Sequence, residues 1–201
     1  MRRFSRILAR PSVYRVWQTP FAGKKLRPLL KHAELRRVRR VLDVGCGPGT
    51  NASLFAGIEY LGVDLNASYV EDARRRYGRE FIVADITRHS LSERGPFDFI
   101  FANSVLHHIE TADVRRILSH LGELLTEDGH VHVLDLVLPR RASLARMLAR
   151  WDRGRYARDV EEWRSLFFEF FEPVVFEPYP LGALGVVLWN MVYFKGRAKR
   201  K

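Results

Sequence analysis

Val41-Leu42-Asp43-Val44-Gly45-Cys46-Gly47-Pro48-Gly49-Thr50 is the stretch that decides the fold. An apolar run of strand character ends beside an acid, three glycines follow at alternate positions, and a helix is expected over residues 50–56. Glycines at 45, 47 and 49 remove every Cβ from a strand-to-helix turn, so backbone can lie directly against a ligand. Turns of this kind hold a nucleotide-like molecule over the carboxyl edge of a parallel sheet. A dinucleotide fingerprint would need another glycine three residues after Gly47, and position 50 is Thr. A phosphate-binding loop would need Gly-Lys-Ser/Thr, which is absent. The acid ahead of the glycines would also repel a phosphate, and it favours a ligand with a cationic part.

Working outward, strands are expected at residues 38–44, 60–65, 80–86, 96–102, 130–138, 173–179 and 186–194. All of the first four end in or beside an acid or amide: Asp43, Asp64, Asp85 and Asn103. Leu26, Leu29, Leu30, Ala33 and Leu35 are spaced for an amphipathic helix over 21–37. Further helices are expected at 67–77, capped by Asn66, at 111–125, capped by Thr111 or Asp113, and at 160–171, started near Asp159. Strands alternating with helices over the first 138 residues predict an α/β fold, a Rossmann-like three-layer sandwich. The sheet is expected to be seven-stranded and mostly parallel, with an antiparallel hairpin at one edge. The tail from Lys195 is expected to fray.

A chain of 201 residues with 47% hydrophobic and 28% charged residues fits one soluble domain with a sizeable core. Only Cys46 is present, which excludes a disulfide framework or a thiol cluster for zinc and fits a reducing, cytoplasmic setting. No metal site is expected. The net charge of +11 is unevenly spread. Residues 1–40 carry 13 Lys/Arg against one acid, 41–137 carry 8 against 15, and 138–201 carry 13 against 7. Two basic flanks thus enclose an acidic middle, and they meet either an anionic partner or that middle. No stretch reaches the ~20 apolar residues that span a bilayer.

The ordered motifs resemble the class I S-adenosylmethionine-dependent methyltransferases, over roughly residues 38–138. The turn at 41–50 looks like the family's first motif, Gly-Val-Asp64 the second, Ala-Asp85-Ile the third and Phe-Asp-Phe-Ile-Phe-Ala-Asn103 the fourth. The resemblance implies S-adenosylmethionine as cofactor. Gly45, Gly47 and Gly49 would lie against it, Asp64 with Leu65 would meet the ribose, and Asp85 with Ile86 the adenine. Asn103 would close the site from the fourth strand. Asp43 would either support the ammonium of the cofactor or orient the amides of the glycine turn. The resemblance also implies an N-terminal segment lying over the cofactor, so residues 1–37 are expected as a basic helical cap on a domain at 38–201.

The acceptor is less clearly encoded. Asn103-Ser104-Val105-Leu106 lacks the prolines of exocyclic-amine methylation of bases, Cys46 sits in the cofactor turn, and no lysine occurs between Lys31 and Lys195. These exclusions favour a small-molecule acceptor over nucleic acid. His107 follows the fourth strand and is a candidate general base, or else a hydrogen-bonded core residue. Residues 140–158 form either an aromatic and cationic lid or a solvated helix surface. As a lid they offer Arg153, Arg155, Tyr156 and Arg158 to an anionic acceptor. The Arg-rich N-terminus with Phe4, Ile7 and Leu8 adds a membrane-peripheral variant with a lipid-like acceptor. The alternatives are an RNA or protein methyltransferase using the basic flanks, or a methyltransferase-like module that binds without catalysis.

Overall fold

The computed structural model describes residues 22–151, 155–183 and 185–199. Its centre is β1 (Arg40–Val44), whose Val41, Leu42 and Val44 are buried, as an interior parallel strand requires. On one side of it lie β2 (Glu59–Asp64) and β3 (Glu80–Val83), and on the other β4 (Phe97–Asn103) and β5 (Leu125–Val137), all parallel. The last two strands, β6 (Phe171–Ala183) and β7 (Val186–Ala198), form an antiparallel hairpin with β7 against β5. The order β3-β2-β1-β4-β5-β7-β6 gives the expected seven-stranded sheet and edge hairpin.

Helices cover both faces. Leu42 and Val44 point to the face covered by α3 (Thr111–Glu123) and α5 (Val160–Phe170), whose Val114, Ile117, Leu118, Leu121, Trp163 and Phe167 are fully buried there. Val41, Phe99 and Phe101 point to the other face, under α1 (Ala22–His32) and α2 (Ala67–Tyr77). A fifth helix, α4 (Leu144–Trp151), seats Ala145 and Ala149 near the outer end of the hairpin. Asn66 caps α2 by accepting from the Ser68 and Tyr69 amides, and Gly78 ends it in the left-handed conformation. Asp159 and Glu162 form a reciprocal capping box on α5.

Several expectations are corrected. The helix at 50–56 is a single 3-10 turn, Ala52–Phe55, because the left-handed glycines delay its start. The helix at 21–37 breaks after His32, and Leu35–Arg37 form a separate 3-10 turn. Neither Thr111 nor Asp113 caps α3; its first residue follows Glu110, which makes no side-chain cap. The tail does not fray at Lys195, since Gly196, Arg197 and Ala198 pair with Pro173, Glu172 and Phe171.

The described part of the N-terminal segment braces the hairpin. Tyr179 donates its hydroxyl to the Lys25 carbonyl, the Lys195 ammonium donates to the His32 carbonyl, and the His32 ring lies 3.0 Å from a Glu177 carboxylate oxygen. These contacts of α1 go to β6 and β7. The arm at residues 1–20 lies outside the described residues. Replacing Asp159 by Ala removes the α5 capping box, and urea unfolding should show a stability loss of about 1 kcal/mol.

Candidate active site

The strand order reverses at β1, whose neighbours β2 and β4 leave it in opposite directions, and the glycine turn sits at that switch point. Gly45, Gly47 and Gly49 have φ of +66°, +54° and +74°. A Cβ on Gly45 would come within 2.5 Å of a Val105 methyl, and one on Gly49 within 2.9 Å of the Tyr77 ring. The turn is therefore specified twice, by backbone conformation and by space. Asp64 holds it in place. One of its oxygens accepts from the Gly47 amide at 2.8 Å and the other from the Asn66 amide at 2.8 Å.

Asp43 and Asn103 flank the turn with buried oxygens that have no partner among the described residues, Asp43 Oδ1 and Asn103 Oδ1. The other Asp43 oxygen accepts from the Tyr60 hydroxyl at 2.7 Å. Burial pushes the Asp43 carboxyl up to about 7, against the Tyr60 hydrogen bond and with help from the Asp64 charge. The Gly47 amide goes to Asp64 and those of Gly45, Cys46 and Gly49 go to backbone carbonyls. An uncompensated buried carboxylate oxygen costs stability and suits a cationic donor. The Asn103 amide nitrogen faces Asn51 at 3.4 Å, which turns its oxygen away from that contact.

Asp85 stands two residues beyond the end of β3. One of its oxygens accepts from the Thr87 hydroxyl and amide, and these bonds hold the carboxyl below its usual range. Leu65 is 71% exposed and Val83 also stands out from the strand end, so an apolar shelf lies open between Asp64 and Asp85. Ile86 is half-buried.

His107 lies in a 3-10 turn, Leu106–His108, after β4 and is 3% exposed. Its Nδ1 is 2.5 Å from an oxygen of Asp135, a fully buried residue of β5. Burial drives the Asp135 carboxyl up, but the His107 charge and hydrogen bond and the Leu136 and Leu106 amides outweigh it, leaving the carboxyl below its usual range. An ionised Asp135 can only accept, so the His107 Nδ1 facing it carries a proton. Asp135 was missed in the sequence, where the signal was a lone acid inside the apolar run Val133-Leu134-Asp135-Leu136-Val137.

The arginine-rich segment divides. Arg158 is buried and turned inward: it donates to the carbonyls of Leu106 and Ile109 and to the Thr111 hydroxyl, and its guanidinium lies 4.9 Å from the Trp163 ring centre. It holds the His107 turn in place, and these bonds occupy donors that the lid reading assigned to an acceptor. The Tyr156 amide donates to the His107 carbonyl, so residues 156–158 cover that turn. Arg155 and the Tyr156 ring are exposed. Arg153 lies outside the described residues. A cavity of about 360 Å³ opens beyond the end of β5, lined by Val137, Pro139, Arg140, Tyr179 and Met191 among others.

A family model described as a methyltransferase domain matches residues 14–174. An uncharacterized methyltransferase of Mycobacterium tuberculosis is 40% identical over 104 residues, covering 49% of this chain and 51% of that protein. A trans-aconitate 2-methyltransferase of Rhizobium etli is 33% identical over 117 residues, covering 54% of this chain and 44% of that protein. The matches thus span about half the length of these curated relatives. In fold, the chain is similar to the N-methyltransferase NodS of Bradyrhizobium japonicum in complex with S-adenosyl-L-homocysteine. That likeness has a TM-score of 0.78 and 17% identity and covers 99% of this chain and 98% of that one.

The residues at the glycine turn fit S-adenosylmethionine. They leave a Cβ-free backbone for it, a buried carboxylate oxygen without a partner for its cationic end, and an apolar shelf for its ring. In the free protein Asp43 holds its proton below about pH 7, and a bound cation favours the ionised form. Binding then expels a proton, so affinity for S-adenosylmethionine should rise from about pH 5.5 to about pH 7.5. Calorimetry should show that slope in the wild type and its loss in Asp43→Asn.

Proposed function

The chain belongs to the class I S-adenosylmethionine-dependent methyltransferases, and from that premise we propose that it methylates a small-molecule acceptor at the carboxyl edge of β4 and β5. The observation that carries this reading is the pairing of the glycine turn, clamped by Asp64, with a His107–Asp135 couple on the next strands. Relatives that by name act on trans-aconitate support a small acceptor. In this reading residues 38–201 are the catalytic domain, 1–37 cap it and 140–158 border the acceptor.

The cofactor supplies a methyl group already activated by its sulfonium, so the protein's work is alignment and proton removal. Asp64 spends one lone pair per oxygen on the Gly47 and Asn66 amides and keeps the others for the ribose hydroxyls. Asp85 offers its second oxygen to the adenine amino group, with Leu65 and Ile86 beside the ring. Asp43 and Asn103, whose buried oxygens lack partners among the described residues, would hold the aminoacyl end.

His107 takes the acceptor's proton on Nε2, and Asp135 stabilises the imidazolium that forms. Burial under residues 156–158 means that an acceptor reaches His107 only when this segment shifts. Shielding from water strengthens the His107–Asp135 interaction once the segment is back in place. Arg155 and Tyr156, at the surface of the same segment, are placed to meet the acceptor as it enters.

Methyl-labelled S-adenosylmethionine and a small-molecule cell extract test this reading. The wild type should yield a product heavier by one methyl group, and label found only in RNA or protein would contradict it. Asp135→Asn should lower turnover about a hundredfold and move the acidic limb of the pH–rate profile to lower pH, because the imidazolium loses its counter-charge, while leaving cofactor affinity unchanged. An unaltered profile would remove His107 from the proton transfer.

A further inference from the structure

Helix α4 leaves the carboxyl end of β5 and turns one face to the hairpin, where Ala149 packs with Leu136, Leu181 and Met191 and Ala145, one turn earlier, is also buried. A second face carries Leu144, Met147 and Trp151, spaced three and four residues apart and therefore aligned in one row. These side chains are 43%, 41% and 74% exposed. Arg150 lies exposed beside that row and Arg141 precedes the helix, whereas Arg146 turns back to donate to the Pro139 and Arg140 carbonyls. Residues 138–158 hold seven arginines against a single acid. Among the described residues no carboxylate pairs with Arg141, Arg150 or Arg155, whereas Arg140 is paired with Asp159. The tip of the hairpin adds two exposed apolar side chains, Val186 and Val187.

We propose that this row is a membrane-docking face: α4 lies in the plane of an anionic lipid surface, with Leu144, Met147 and Trp151 below the headgroups and the arginines at headgroup level. No helix among the described residues is long and apolar enough to cross a membrane, so the contact is peripheral. Charge decides between the candidate occupants of the face. Residues 1–21 of the chain carry five arginines and no acid, so they offer this cationic face no counter-charge. A second copy would set arginine row against arginine row. RNA would satisfy the arginines but leave Leu144 and Met147 without apolar cover. An anionic lipid surface meets both needs, because arginine stems extend along apolar surface and carry the guanidinium to the phosphates.

The position of the face gives it a consequence. The cavity beyond β5 is lined by Pro139 and Arg140, at the root of the connection into α4, so docking through α4 brings the edge of the sheet that bears the cavity to the lipid. The docking itself is independent of methyl transfer and is measured without cofactor or acceptor, so its failure leaves the proposed reaction standing.

Flotation of the full chain with phosphatidylglycerol vesicles, against phosphatidylcholine vesicles, tests the proposal. The wild type should float with the anionic vesicles and remain behind with the neutral ones. The triple variant Leu144→Ser, Met147→Ser, Trp151→Ser should lose about tenfold in partition, and so should Arg141→Glu with Arg150→Glu. All three chains should share one melting temperature, since the replaced side chains stand outside the core. The proposal is overturned by wild type that stays unbound with anionic vesicles, or by a triple variant that floats as well as wild type. It is equally overturned by a wild-type dimer that the triple variant dissolves, or by retention of RNA, but not vesicles, that depends on the three residues.

Discussion

The carboxylate of Asp64 is the constraint on which the rest of the site depends. It stands at the end of β2, yet its two oxygens reach sideways to the Gly47 amide and onward to the Asn66 amide. One side chain therefore joins the second strand, the glycine turn of the first and the start of α2. Positive φ at three alternate glycines is a conformation that a short loop does not keep by itself, and an ionic acceptor on its central amide stabilises it. In the proposed reading the same residue also meets the cofactor. The loop is held by Asp64 together with the Val63 and Cys46 carbonyls, so it is shaped by the chain's own bonds.

Much of the fold was legible because burial and chain punctuation agree along the first half of the chain. Val41-Leu42-Asp43-Val44 is an interior strand whose alternate residues face two different helix layers, and Asn66 and Gly78 mark both ends of α2. The departures have local physical causes. Left-handed glycines shorten the helix after the turn to one 3-10 turn, and no side chain caps α3 although Thr111 and Asp113 stand at its start. The basic tail looked suited to solvent, but pairing with Pro173, Glu172 and Phe171 keeps its backbone in the sheet.

The geometry of the candidate site was legible where a residue meets backbone close to it in sequence, and hidden where the partner comes from a distant strand. Gly45, Asp64 and Asp85 could be placed from motif order alone. Asp135 could not be paired with His107 without knowing that β4 and β5 are neighbours, and Tyr60 could not be paired with Asp43 without the β1–β2 register. Arg158 illustrates the same limit from the other side. Its sequence neighbourhood is rich in arginines, several of them exposed, yet Arg158 turns inward to hold the carbonyls of Leu106 and Ile109. The charge asymmetry of the sequence resolves accordingly into paired, buried and exposed cations with separate tasks.

The central claim is that the Asp64-clamped glycine turn is the S-adenosylmethionine site. The most direct measurement is calorimetric titration of the wild type and Asp64→Ala with S-adenosylmethionine and S-adenosylhomocysteine, with melting curves to confirm that both proteins are folded. Tight one-to-one binding by the wild type, with affinity lower by at least about tenfold in Asp64→Ala, is the predicted result. Equal affinity in the two proteins, or no binding by folded wild type, would contradict the account.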